Sequence, residues 1–150
     1  MNAYQSAALG SRPSSPAASR MLSIGLLRVL LLTEAGLGLV LAIALSMLAS
    51  ALNGSVGGEA GQIAEQNVRF AAGAAFVFAI LAAIASRGAR RRRGWAWTLA
   101  ALLQLIAAIG TGIAILVAAW HPVYLLGFVM AGVVMLVLST SSVRRGLGQA

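Results

Sequence analysis

Four long apolar runs dominate this chain, at about Leu22–Ala51, Val68–Ser86, Trp95–Trp120 and Val123–Ser139. The hydrocarbon core of a bilayer takes about 20 apolar residues of α-helix, and each run supplies roughly that many or more. None alternates with period two, as the strand of a membrane barrel would. Nor can the rest of the chain clothe these runs in a polar surface. Only 9% of the 150 residues are charged and 60% are hydrophobic, whereas soluble domains carry about 25% charged residues. The sequence therefore predicts an all-α polytopic membrane protein, a bundle of four transmembrane helices.

The organisation follows from these runs. Residues 1–20 are rich in Ser, Ala and Pro, bury too little apolar area to offset ordering, and are expected to be a flexible tail. Residues 21–146 form the four-helix membrane domain, and 147–150 a short C-terminal tail. The longer first and third spans can tilt or extend past the hydrocarbon. The loop Asn53–Asn67 opens on turn signals, Asn53-Gly54-Ser55 and Gly57-Gly58. Its second half, Glu59 to Phe70, can form a helix continuous with span two. Glu65 and Arg69 would then pair four residues apart, worth a few tenths of a kcal/mol. Ala49-Ser50-Ala51 fits a signal-cleavage pattern, but the preceding stretch is too long and contains Glu34.

Charge sets the orientation. The net charge of +8 comes from eleven Arg, no Lys, three Glu and no Asp. Arg12, Arg20 and Arg28 precede or enter span one. Arg87, Arg90, Arg91, Arg92 and Arg93 fill the link between spans two and three, and Arg144 and Arg145 follow span four. Ten of the eleven Arg thus fall on one side of a four-span topology, with Arg69 alone on the other. By the positive-inside rule, both termini and the Arg link are expected in the cytoplasm. The chain then reads as a multi-pass protein of a bacterial inner (cytoplasmic) membrane. Trp95 and Trp97 sit where an inner aromatic belt belongs, and Trp120 and Tyr124 where an outer one does.

Lipid gives helices no hydrophobic reward for associating, so close packing relies on small residues and polar contacts. Each span offers a four-residue stripe: Glu34, Gly38, Ala42 and Ser46; Ala71, Ala75, Ala79 and Ala83; Ala100, Gln104, Ala108 and Gly112; Gly127 and Ala131. The expected role is ordinary bundle packing. A shift of 70 residues places Glu34 on Gln104 and Ala42-Ile43-Ala44 on Gly112-Ile113-Ala114, a suggestion of an internal repeat.

Glu34 is the one acidic residue within a span. A charged carboxylate at that depth costs roughly 2.5–3.5 kcal/mol on insertion scales, so it should be neutral or paired. Counting from Arg28 at ~1.5 Å per residue, Glu34 lies about 9 Å deep; counting from Trp97, Gln104 lies about 10 Å deep. Spans one and three run in the same direction, so Glu34 and Gln104 are expected to face each other, with Thr33, Thr98 and Arg28 as candidate neighbours. The pair is either a proton or cation site or a register-fixing hydrogen bond of about 1 kcal/mol.

The Arg link is expected to hold topology and to attract anionic lipid headgroups, at about 1 kcal/mol per Arg near the surface. No aromatic stacking platform accompanies it, which argues against nucleic acid. The chain has no Cys, no Asp and a single histidine, His121. This leaves no thiol chemistry and no metal or cofactor site to expect. His121 beside Pro122 reads as an interfacial residue at the start of span four. No nucleotide loop, serine triad or paired carboxylates are present, so no enzyme activity is expected.

With those features in place, the chain from Arg20 to Leu147 resembles the small four-helix integral membrane proteins common in actinobacteria. The resemblance rests on Leu31-Leu32-Thr33-Glu34-Ala35, Arg93-Gly94-Trp95-Ala96, Gln104-Leu105 and Leu138-Ser139-Thr140-Ser141-Ser142-Val143-Arg144-Arg145. It implies topology and no assigned activity. Thr33-Glu34-Ala35-Gly36 is also similar to the first-span glutamate region of small multidrug-resistance antiporters, and this resemblance implies proton or drug-cation binding at Glu34. The chain departs from that family in its long outer loop, one-sided Arg and few intramembrane aromatics. The expectation is a non-catalytic accessory subunit, packed against another membrane protein or itself and contacting anionic lipid. The alternative is a small proton-coupled cation or drug transporter.

Overall fold

The computed structural model describes residues 16–55, 58–117 and 122–148. Its regular elements are helices throughout: α1 (Pro16–Ser55), α2 (Glu59–Arg90), α3 (Gly94–Val117), α4 (Pro122–Ser139) and the short α5 (Ser141–Gly146). Four of them, α1 to α4, are long and apolar enough to cross a membrane. The chain is a multi-pass, four-helix membrane bundle.

Two boundaries differ from the sequence reading, and a third falls where it was expected. Helix α1 begins at Pro16, so Pro16–Arg20 is helix where a tail was expected. Proline suits the first helical turn, where its missing N–H is not needed, and Ala17 and Ala18 propagate well. The rest of the expected tail, residues 1–15, lies outside the described residues, as do Trp120 and His121. Helix α2 begins at Glu59 and runs unbroken to Arg90, so Glu59 to Phe70 forms the expected helix continuous with span two. Gly58 at its start has φ 87° and ψ −173°, a region open essentially to glycine alone. Leu147, assigned to the C-terminal tail, is instead fully buried. It is brought there by α5, which folds back against α1 and α4.

Helices α1 and α2 pack antiparallel along nearly their whole length. Among their buried or half-buried positions, one line runs Leu27, Leu31, Glu34, Gly38 and Ala42, then Leu45 and Ala49, on α1, and another Ala72, Ala75, Ala79, Ala82, Ser86 and Ala89 on α2. The spacing alternates mainly between three and four, which is the seam of a left-handed pair rather than a four-residue stripe. Ala71 and Ala83, expected on the seam, are accordingly exposed, as is Ser46. The approach is close: a methyl group added to Gly38 would meet Ala79 Cβ at 3.2 Å. Small residues permit that proximity, and dispersion between the two backbones supplies the attraction. On α3 and α4 the buried set is Ala96, Ala100, Leu103 and Gln104 with Ala131, Val134 and Leu138. Ala108, Gly112 and Gly127 are half-buried.

The core is lopsided. One cluster unites Leu27, Leu31, Ala85, Ala89, Ala96, Ala100, Val134, Leu138, Val143 and Leu147. All of these lie toward the end that carries the Arg link, called here the arginine end. At the other, far end, α3 beyond Gln104 and α4 before Ala131 contribute no buried residue among those described.

The α2–α3 turn at the arginine end is tightly specified. Arg93 N–H donates to Gly88 O at 3.2 Å and Arg92 N–H to Ala89 O at 3.1 Å, the paired bonds of a Schellman helix end. That motif puts its penultimate residue in the left-handed region, where glycine is usual. Here the position is Arg92, φ 52°, at a cost of about 1–2 kcal/mol for a side-chain-bearing residue. Gly88 is needed for another reason. A Cβ there would lie 2.7 Å from the Trp95 ring and 2.8 Å from Ala96 Cβ, so α3 could not fold back as closely.

Candidate functional site

Glu34 sits midway along α1 and Gln104 near the middle of α3, and the structure brings them together. Gln104 Nε2 donates to Glu34 Oε2 at 2.6 Å. Both side chains are buried, Gln104 completely. Backbone contact between α1 and α3 is otherwise slight, because α2 and α4 are the main neighbours of these helices. The bond thus ties two diagonally placed helices at one depth. A hydrogen bond to a carboxylate, removed from water, resists replacement by solvent and so fixes their relative height. One acceptor is left over: Gln104 Oε1 is buried with no partner among the described residues.

The candidate neighbours of the pair fall elsewhere. Thr33 is exposed and returns its hydroxyl to its own helix, donating to Val29 O at 3.0 Å, a common use of intramembrane threonine. Thr98 is exposed as well. A residue next to Glu34 in sequence is rotated about 100° away on a helix, so adjacency in the chain did not place Thr33 in the bundle.

The expected aromatic anchors have distinct surroundings. Trp97 Nε1 donates to Leu138 O at 3.0 Å, so its indole satisfies a carbonyl near the α4 C-terminus and links α3 to α4. Trp95 is half exposed and packs over Gly88. Tyr124 is half-buried near the start of α4. The expected pairing of Glu65 with Arg69 is present at 2.6 Å, on the expected helical continuation of span two.

Arg87, Arg90, Arg91, Arg92 and Arg93 are all exposed, but they are not equivalent. Arg90 and Arg92 turn toward α1, where they line a small open cavity of about 160 Å³ with Ile24, Gly25 and Arg28. The sequence reading placed Arg28 as a boundary marker and a candidate neighbour of Glu34, and missed this grouping. Its Nε is buried without a partner among the described residues. A second, larger hollow of about 740 Å³ lies between α1 and α2 toward the far end, lined by Leu39, Ala42, Ser46, Arg69, Ala72 and Phe76 among others. Its walls are mainly apolar, as expected of a lipid-facing groove.

Two polar features thus stand out in an otherwise apolar bundle. The Glu34–Gln104 bond lies inside the membrane domain, and a cation cluster lies at its arginine end. Comparison with protein-family models, with curated proteins and with solved structures finds no match to this chain, and its chemistry has to be read from its own residues.

Proposed function

We propose that this chain is a non-catalytic subunit of a bacterial cytoplasmic membrane, with both termini and the arginine end facing the cytoplasm. It packs with another membrane protein or with a second copy, and it contacts anionic lipid through its Arg link. The observation that carries this reading is the lopsided core. Four helices converge at the arginine end, while the far halves of α3 and α4 contribute no buried residue among those described. Helices in lipid associate through small residues, and here Gly36, Gly73, Gly110 and Gly132 have open space where a side chain would stand. A partner helix is the natural complement to such faces. The one-sided Arg distribution supports the orientation.

Purification from the source membrane in mild detergent, followed by native mass spectrometry, tests the proposal. The expected mass is that of the chain with an additional protein or with a second copy of itself. A stable monomer carrying only lipid would overturn it. Because the chain lacks cysteine, single cysteines placed at Arg91 and Ser141 report the orientation through a membrane-impermeant label. Labelling in intact cells would reverse it.

A proton-coupled transporter is the second reading, favoured by the unpartnered Gln104 Oε1 beside the Glu34 carboxylate. Two oxygens at one depth are the beginning of a cation or proton site. Glu34→Gln separates the readings. It should leave assembly intact for a subunit, and it should abolish pH-dependent cation flux into liposomes for a transporter.

A further inference from the structure

Among the eleven arginines, three from two separate stretches of chain meet around one cavity, and the structure shows a cost and an unfilled need at that place. Arg28 comes from the first third of α1. Arg90 ends α2, and Arg92 belongs to the link that follows. The cavity they line with Ile24 and Gly25 measures about 160 Å³, well above the roughly 10–15 Å³ that one water requires. Gly25 adds no side chain to this lining, and nothing lies within 4 Å of where its Cβ would be. No carboxylate lines the cavity; Glu59 and Glu65 lie near the start of α2, about nine and seven turns from Arg90, and the Glu34 carboxylate is held by Gln104.

Two observations mark the cavity as more than a crowding of like charges. Arg28 Nε is buried with no acceptor among the described residues, although a buried guanidinium donor ordinarily has one. Arg92 occupies the left-handed position of the Schellman turn, φ 52°, where glycine would relieve the strain. A strained side-chain-bearing residue at a position suited to glycine points to a use for the side chain. Three guanidiniums also repel one another unless an anion lies between them.

We infer that Arg28, Arg90 and Arg92 form a binding site for a phosphate group. Guanidinium forks match phosphate oxygens in geometry and charge, and a tetrahedral oxyanion supplies the acceptor that Arg28 Nε lacks. The ligand is the phosphodiester of an anionic phospholipid in the adjoining leaflet or a free phosphate, which share this chemistry. The inference deepens the lipid contact proposed above. It replaces a diffuse attraction spread over five link arginines with a site that includes Arg28 and gives no direct role to Arg91 or Arg93. It rests on the arginine end lying at headgroup level, but not on any protein partner.

The full-length protein in uncharged detergent at physiological salt is titrated with phosphatidylglycerol, phosphatidylcholine and inorganic phosphate, and bound ligand is counted by native mass spectrometry. The wild type should retain one phosphatidylglycerol at concentrations where phosphatidylcholine is lost. Arg28→Gln should weaken this about tenfold, the effect of one charge-assisted hydrogen bond. Arg92→Gly should weaken it by a similar factor while raising the melting temperature, because glycine relieves the turn. That variant keeps the test decisive should Arg28→Gln fail to fold. The double variant Arg91→Gln/Arg93→Gln removes two charges that do not line the cavity and should cost less than about threefold, since neither gives the ligand a charge-assisted hydrogen bond. Equal losses in the double and the cavity variants would overturn the site, as would full retention of lipid by Arg92→Gly. Competition by millimolar inorganic phosphate would identify the free anion as the ligand, and resistance to it would identify the lipid. A failed search for a protein partner would leave all these readings unchanged.

Discussion

The two ends of this bundle are built from the same residue types and behave differently. At the arginine end, Leu27 and Leu31 of α1 meet Ala85 and Ala89 of α2, Ala96 and Ala100 of α3 and Val134 and Leu138 of α4 in one cluster, with Val143 and Leu147 beneath it. At the far end the α1–α2 hairpin stays closed through Ala42, Ala49 and Ala72, while α3 and α4 touch little beyond each other. Both ends are rich in Ala, Gly and Leu, so apolar composition does not separate them. What separates them is a folded-back α5, the Trp97 indole on Leu138 O and the Glu34–Gln104 bond, which all act on the arginine half. In lipid, where apolar area alone brings no association, such ties decide where helices converge.

Glycine substitution gives the largest contrast. Gly88→Val places atoms inside the Trp95 ring and should destabilise the bundle by about 3 kcal/mol, the upper range for overpacking. Gly110→Val, which meets open space within the chain, should change the stability of the partner-free bundle by less than about 0.5 kcal/mol. Denaturation of both variants in mild detergent, followed by circular dichroism, measures the difference. Equal effects would mean that the ends are packed alike.

Leucine truncation should show the same asymmetry on a smaller scale. Leu31→Ala removes a wholly buried side chain and should cost about 2 kcal/mol. Leu37→Ala, on the lipid-facing side of the same helix, should cost under about 0.5 kcal/mol in the same assay. A comparable loss at Leu37 would show that the far half is covered after all.

The polar ties rank below these. Gln104→Leu breaks the α1–α3 bond and should cost about 1 kcal/mol, the scale of an intramembrane hydrogen bond. Equilibrium unfolding of Glu34→Leu, Gln104→Leu and the double variant forms a cycle whose coupling energy isolates that bond. The smallest expected effect is at Glu65. Its bond to Arg69 joins successive turns of α2 with Arg69 largely exposed, and Glu65→Gln should cost only a few tenths of a kcal/mol. A larger loss would place that part of α2 in a packed environment.

Much of this architecture is legible in the residues because the membrane imposes a ruler. Run length gives the number of helices, and counting at ~1.5 Å per residue from Arg28 and Trp97 brings Glu34 and Gln104 to one level. Rotation about the helix axis is harder to read. In α2 nearly every position from Ala71 to Ala85 is small or apolar, so nothing in the pattern distinguishes Ala72 and Ala82, which are buried, from Ala71 and Ala83, which are not. The same lack of contrast hides the meeting of Arg28 with Arg90 and Arg92, since it depends on how α1 and α2 are phased. Helix α5 has six residues, too few for a periodic signal, so the burial of Leu147 became visible only in three dimensions. Pro16 was read with the residues before it, although proline is at home in a first helical turn.

The helix lengths carry a consequence for the surrounding lipid. At ~1.5 Å per residue, the 18 residues of α4 reach about 27 Å and the 32 residues of α2 about 48 Å. One flank of the molecule therefore matches a thin bilayer, and the other stands well clear of it or leans. The apolar stretches are nonetheless alike, Val68–Ser86 on α2 and Pro122–Ser139 on α4, so lipid on either flank meets a slab of about 27–28 Å, at a fraction of a kcal/mol per ångström of mismatch. Such a slab would draw this chain toward thinner patches of membrane, with the polar first turns of α2 standing in the headgroup layer.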